Sequence, residues 1–406
     1  MLETLIMLNS LILAFANTIL TAYFIPIIMY PLLARRKNFQ NNIADGRELL
    51  RLAVIVPAYK ENHISLKSTV ESIVLQKYPK EMFKVYFVLE EKDYGTFEAA
   101  MYYAEKLRRK GIACEILVRE GYARWGKADA LNYALKHIVE DVYLVFDADV
   151  VAPENYFVEV SNTLKNGFDA FFPKVYRFSE SLLGKLIFLD TVLWYDIYLE
   201  SLRIISGGYI PLSGEGLAVK TSVLKRINGF PRVLTEDAML ALLLAKQGFK
   251  ISYGKGEIYE KAPRKLVPYI NQRIRWFQGY YQCLLELVRN INKLSLRVFL
   301  SLLLAYMSPI AALASALFYT ILAVAVFAYV FNISLPIHAA LIYWSLSLLI
   351  IGVFSLLTIL IQALKLKKTR INRLHVIVTP LYWYLNGIVA FLSIMLPRTW
   401  RRTIRE

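Results

Sequence analysis

Four uncharged apolar runs, at residues 4–34, 298–331, 337–364 and 374–397, constrain this chain more than any other feature. Each is longer than the ~20 residues that cross the hydrocarbon core of a bilayer. Residues 35–297 between them read as an ordinary soluble mixture. The expected organisation is an N-terminal anchor (1–37), a globular unit (38–277), and a C-terminal part (278–406) with an interfacial segment and three further spans. The first run is too long for a secretory signal peptide, and no charged segment precedes it.

Hydrophobic residues make up 57% of the chain and charged ones 20%, against about 45–50% and about 25% in a soluble domain. The net charge of +16 would suit nucleic acid, but the basic residues crowd the span ends. Arg35, Arg36 and Lys37 follow the first run, and Lys365, Lys367, Lys368, Arg370 and Arg373 lie between the last two. Such clusters mark cytoplasmic flanks and attract anionic headgroups. The partner expected is therefore a membrane, not nucleic acid, with the globular unit on the cytoplasmic side of the plasma membrane. A four-span count puts Arg398, Arg401, Arg402 and Arg405 on the other side. Either that tail lies along a headgroup surface or one run is re-entrant. Cys114 and Cys283 are too few for a disulfide framework and lack metal-site spacing, so both are expected to be buried.

Within the globular unit, short apolar runs at 52–57, 84–89, 114–118 and 142–146 have the character of strands buried on both faces. Helical stretches at 64–76, 96–110 and 127–139 separate them. The alternation predicts β-α-β units and a mostly parallel sheet. Ligands bind beyond the carboxyl ends of such strands, where Tyr59-Lys60-Glu61, Glu90-Glu91 and Asp147-Ala148-Asp149 stand. Residues 180–204 predict a helix with Lys185, Asp196, Glu200 and Arg203 on one stripe and leucines on another. It lies either in the membrane interface or against the core.

Asp147 and Asp149, one residue apart at a strand end, can share a hard divalent cation with ligand phosphates. The plainer alternative is a pair of turn aspartates, one capping the helix near Pro153. Thr235-Glu236-Asp237 opens an apolar helix, where Thr235 suits an N-cap and the acids suit the dipole. A carboxylate held that rigidly also suits a catalytic base. Gly126-Lys127 opens another helix, and a cation there opposes the dipole unless an anion is bound. In Gln272-Arg273-Ile274-Arg275-Trp276, Gln272, Arg275 and Trp276 share one side of a helical turn. Arginine matches phosphate oxygens and indole offers a flat face to a sugar. Interface anchoring is the alternative for both.

Taken together, Ile55 to Asn62, Gly126-Lys127-Ala128 with Ala130-Leu131-Asn132, Asp147-Ala148-Asp149, Gly214-Glu215-Gly216, Thr235-Glu236-Asp237 and the Gln272 to Trp276 pentad resemble the membrane-bound family-2 glycosyltransferases. That branch includes cellulose, chitin and hyaluronan synthases and ceramide glucosyltransferase. The resemblance implies a GT-A α/β fold, a divalent metal (Mn²⁺ or Mg²⁺), a nucleotide-diphosphate sugar, UDP-linked by expectation, and inversion at the anomeric carbon. It implies that Asp149, with Asp147, holds the metal and that Asp147 also meets the nucleotide. Pro57, Tyr59, Glu61, Glu90, Lys127 and Arg275 would bind donor. Glu90 stands where the family usually has aspartate. Asp237, with Glu236 beside it, would be catalytic, and Gln272, Trp276, Gly214 and Glu215 would meet the acceptor. Extension of a membrane-associated β-polysaccharide is the preferred activity, with transfer of one sugar to a membrane lipid as the alternative.

Overall fold

The computed structural model describes residues 2–34, 49–121, 125–333, 337–366 and 371–397. Arg35, Arg36, Lys37, Lys367, Lys368, Arg370 and the arginines of the tail lie outside the described residues.

The chain opens with α1 (Leu2–Ala34) and then alternates β1 (Leu52–Pro57), α2 (His63–Val74), β2 (Phe83–Glu90), α3 (Tyr94–Arg109), β3 (Ala113–Arg119), α4 (Lys127–Leu135) and β4 (Val142–Val145). Next come α5 (Tyr156–Lys165), β5 (Ala170–Phe178), α6 (Leu182–Val192), α7 (Leu199–Ser206), β6 (Ala218–Lys220), α8 (Thr221–Arg226), α9 (Glu236–Lys246) and β7 (Ile251–Lys261). Five further helices follow among the described residues: α10 (Leu266–Arg289), α11 (Leu296–Tyr306), α12 (Ser308–Val330), α13 (Ala339–Lys365) and α14 (Arg373–Met395).

One seven-stranded sheet has the order β3-β2-β1-β4-β6-β5-β7. The pairs among β3, β2, β1 and β4 are parallel, as is β5 with β7, and only β6 runs against its neighbours. This is the mostly parallel GT-A-like sheet expected. The strands β1 and β4 are apolar throughout because helices cover both their faces, and Leu52–Val56 and Val142–Val145 are fully buried. Strand order reverses between β1 and β4, and the crevice beyond their carboxyl ends is where such a sheet binds ligands.

The segment 180–204 is helical but not free on either side. A six-residue π turn, Leu193–Tyr198, joins α6 to α7. Tyr198 stacks on Tyr23 of α1, while Phe188 meets Tyr176 of β5. Its polar stripe is satisfied internally: Asp196 pairs with Lys174 and accepts from the Tyr176 hydroxyl, and Arg203 pairs with Glu200 at 3.0 Å. The helix thus forms a layer between the sheet and α1.

Four helices among the described residues are long and apolar enough to cross a membrane: Met7–Leu33, Ser308–Val330, Ala340–Lys365 and Arg373–Met395. The apolar run at 298–331 is broken in two, because Pro309 has no N–H for a helix interior but fits a first turn. The shorter piece, α11, packs instead on α9 and α10 through Val298, Leu302 and Tyr306. Helix α10 runs unbroken through residue 277, where the sequence suggests a division. Cys114 and Cys283 are both buried.

Candidate active site

Strand β4 ends at Val145, and two residues on Asp147 turns its carboxylate toward the start of α4. There the Lys127 ammonium lies 2.5 Å from Asp147 Oδ1 and 4.0 Å from Glu236 Oε1. The cation at the unfavourable end of α4 is thus offset by carboxylates. Gly126 enters that helix with φ +53°, left-handed backbone that glycine adopts without strain. Burial works against the Lys127 charge, but Asp147, Glu236 and Glu215 outweigh it and hold the pKa above the ordinary value. Asp149 is 4% exposed. Helix α5 begins only at Tyr156 with Asn155 in the capping position, so neither aspartate caps it.

Glu236 and Asp237 form the first turn of α9. Thr235 stands at the N-cap position but does not cap, since its hydroxyl turns to Cys283 Sγ at 3.6 Å. Gly279 of α10 permits that packing, because a Cβ there would come 2.4 Å from Thr235 Oγ1. Asp237 Oδ1 accepts the Ala238 N–H at 2.8 Å, which fixes the carboxylate. Burial, then the neighbouring Asp237, push Glu236 up to about 7 against the pull of Lys127 and Arg275. Burial and Glu215 also raise Asp237. Gly214 closes this cluster for lack of space: a Cβ would sit 2.7 Å from Lys127 Nζ and 3.3 Å from Asp237 Oδ2.

A cavity of about 410 Å³ collects Lys127, Asp147, Glu215, Glu236, Asp237 and Arg275 on its walls. Helix α10 faces it with the 273–276–277–280 stripe, so Arg273 and Trp276 line it while Gln272 is buried away from it. Of the three residues expected on one side of the turn, Arg275 and Trp276 reach the cavity, and Arg275 also donates to the Leu234 carbonyl at 3.3 Å. Two guanidinium groups, from Arg177 and Arg273, lie 4.8 and 4.9 Å from the Trp276 ring centre. The π surface expected to meet a sugar therefore carries protein cations.

Pro57 ends β1 and Tyr59 and Glu61 stand just past it, all three outside the cavity wall. The Glu61 N–H donates to Thr96 Oγ1 at 2.7 Å, and the Lys60 N–H donates to Asp93, with Lys60 at φ +55°. The loop is thus clamped to the start of α3. Glu90 at the end of β2 accepts both arms of Arg119, at 3.1 and 2.6 Å. Its carboxylate is committed to that fork.

Several site residues carry no sequence signal of their own. Arg177 is buried and bonds Glu215 at 2.6 Å and Glu260 at 2.7 Å. Arg273 bonds Asp190 at 2.7 Å and the Tyr382 hydroxyl at 2.9 Å. These pairs are 38 to 109 residues apart in sequence, and only the fold joins them.

Residues 51–279 match the family model "Glycosyltransferase like family 2". The Probable glycosyltransferase YdaM of Bacillus subtilis is 23% identical over 370 residues, covering 86% of this chain and 83% of YdaM. The Beta-monoglucosyldiacylglycerol synthase of Synechocystis sp. is 25% identical over 273 residues, covering 64% of this chain and 55% of the synthase. Among solved structures, the mannosyltransferase PcManGT from Pyrobaculum calidifontis, in complex with GDP-Man and Mn²⁺, shares the fold. Its TM-score is 0.63 over 95% of this chain and 98% of PcManGT, at 23% identity. More than half of the chain falls within the one family model, and the protein belongs to the family-2 glycosyltransferases.

Proposed function

We propose that the protein transfers a sugar, with inversion, from a nucleoside-diphosphate donor to a hydroxyl of a membrane-associated acceptor. The observation that carries this is the cluster of Lys127, Asp147, Glu236, Asp237 and Arg275 around one cavity beyond the strand ends. In this reading Asp237 takes the acceptor proton, with Glu236 beside it setting its charge. Arg275 and Lys127 balance the charge growing on the departing diphosphate, whose release is the other half of the displacement. Pro57 at the end of β1, with Tyr59 and Glu61 on the clamped loop beyond it, flanks the nucleotide. With Glu90 taken up by Arg119, the fork as a unit, and not a free carboxylate, meets the base. Glu215, fixed by Arg177, stands on the acceptor side with Gly214. Trp276 acts there by ordering Arg177 and Arg273.

A divalent metal fits the donor set at β4. Asp147 and Asp149 supply hard oxygen ligands, and no group of three or more His, Cys, Asp or Glu side chains among the described residues makes a closed cage. Two carboxylates completed by substrate phosphates suit Mg²⁺ or Mn²⁺. When bound, the ion neutralises diphosphate charge. Nucleotide-sugar turnover should therefore vanish in excess EDTA and return with Mn²⁺ or Mg²⁺. Undiminished turnover in EDTA would remove the metal from this reading. The test of the whole is purified protein in lipid, given UDP- and GDP-sugars in turn, with the product read by mass spectrometry. The sequence resemblance favours UDP, whereas PcManGT was solved with GDP-Man. Absence of transfer from every donor would end the proposal. The membrane assignment we favour, with the globular unit on the cytoplasmic face of the plasma membrane, rests on the basic span flanks.

Acidity supplies an independent check. A base must be ionised, and the folded pair holds its protons above the usual carboxylate range. The kcat/KM of transfer should rise with pH along an acid limb that lies above the usual carboxylate range and belongs to the Glu236–Asp237 pair. In Glu236→Gln one negative charge is gone, so the limb should move to lower pH. A limb that stays put would separate Glu236 from the base.

A further inference from the structure

The cavity does not end at the carboxylates. Beyond Trp276 it continues among the apolar helices, where α1 contributes Leu20, Phe24 and Ile27 and α13 contributes Leu348, Val353 and Leu356. Every charged residue on its wall comes from the globular unit, α6 or α10, and none from α1, α12, α13 or α14. The α13 wall is wholly apolar: Gly352 and Leu349 complete it. Leu349 and Val353 are 36% and 51% exposed, so the chamber is not sealed behind them. At the junction of the two halves stands Arg273, tied to Asp190 and Tyr382. Its buried Nε has no hydrogen-bond partner among the described residues.

We infer that this chamber holds the hydrocarbon tail of the acceptor, a lipid alcohol whose hydroxylated head reaches Asp237 past Arg273. The inference rests on the glycosyl-transfer reading and names its acceptor class. A sugar polymer carries hydroxyls on all sides, and each buried against the α13 wall would lose its partners to water without replacement. A hydrocarbon chain loses nothing there. Uncharged polar side chains, Ser308, Ser315 and Tyr319 of α12 and Asn386 of α14, also reach the wall, but the charged groups that can anchor a head stand only at the junction. An alcohol also matches the base: a phosphate acceptor arrives already ionised, whereas an alcohol needs a carboxylate to take its proton. In the transfer, the anomeric carbon's bond to the diphosphate oxygen breaks and the bonding pair leaves with the diphosphate. The acceptor oxygen bonds to that carbon from the opposite face, and its proton passes to Asp237.

The test needs no donor. Full-length protein is placed in phosphatidylcholine vesicles doped with a diacylglycerol bearing a diazirine on one acyl chain. It is illuminated, and labelled residues are mapped by mass spectrometry. Bulk lipid reaches Ile350, which is 71% exposed and off the cavity wall. Chamber occupancy should in addition label Leu348, which is 2% exposed, and Leu20. Gly352 provides the plug, because a Cβ there meets nothing within 4 Å. Gly352→Leu should abolish the label at Leu348 and leave Ile350 labelled, while Gly352→Ala should keep both. Label confined to Ile350 in the unaltered protein would overturn the inference. Asp237→Asn should retain the Leu348 label, since occupancy does not use the base. Labelled protein that transfers no sugar from any donor would sink the catalytic reading and leave the lipid site standing.

Discussion

Asp237→Asn should lower sugar transfer by roughly 10²–10⁴-fold, the range of general acid–base catalysis, in a protein that folds and binds donor normally. Asparagine has nearly the shape of aspartate and keeps an Oδ1 that can accept the Ala238 N–H, so the first turn of α9 retains its geometry. It cannot take a proton. It also removes a negative charge from a cavity that must receive a diphosphate, so nucleotide binding should hold or tighten slightly. If Asp237 serves only the helix dipole, its charge contributes about 0.3–1 kcal/mol and turnover survives. Transfer rate, nucleoside-diphosphate affinity by calorimetry and melting on the one variant separate these cases. Turnover near that of the unaltered protein would remove Asp237 as base, whatever family the chain belongs to.

The parts of the fold legible in the sequence are those whose environment imposes a uniform pattern. The strands β1 to β4 are mostly buried, so each carries an apolar run, and the expected and observed bounds agree to within one residue. Strands β6 and β7 gave no such signal. The first is three residues long, and the second breaks its apolar pattern with charged residues such as Glu260, whose buried carboxylate is held by Arg177. Its glycines were equally mute: a Cβ on Gly254 would strike the Phe171 ring at 2.2 Å, a contact formed only by the folded sheet. In the site, Lys127 and Asp147 could be suspected from their awkward positions on helix and strand. Arg273 could not be ranked above Arg275, since which stripe of α10 faces the cavity depends on how Thr235 packs on Gly279. Helix 180–204 left the membrane interface and the core both open. Its charged stripe has the spacing of a wet face, yet Lys174 and Tyr176 of β5 meet Asp196 inside the protein.

Arg177→Met should unfold the globular unit far more readily than any substitution in the Asp237 pair. The Arg177 side chain is 7% exposed, and the carboxylates it joins, on Glu215 and Glu260, are 11% and 2% exposed. Removing the cation takes from two buried carboxylates the guanidinium they share, a change that costs ~3–5 kcal/mol where one partner of a buried pair is lost. For a unit of this size that corresponds to a melting temperature lower by on the order of ten degrees. The cost lies in desolvated charge, not in lost attraction, and this distinction can be measured. Arg177→Met combined with Glu215→Gln and Glu260→Gln removes all three charges and should recover most of the melting temperature. Transfer should not recover with it, because Glu215 lines the cavity beside Asp237 and Trp276 loses one of its two guanidinium neighbours. Melting of the single and triple variants at matched lipid composition and scan rate, together with their transfer rates, gives the comparison. A triple variant that melts as low as the single one would mean that Arg177 stabilises by packing against Trp276, and a triple variant with full transfer would take Glu215 out of the acceptor site.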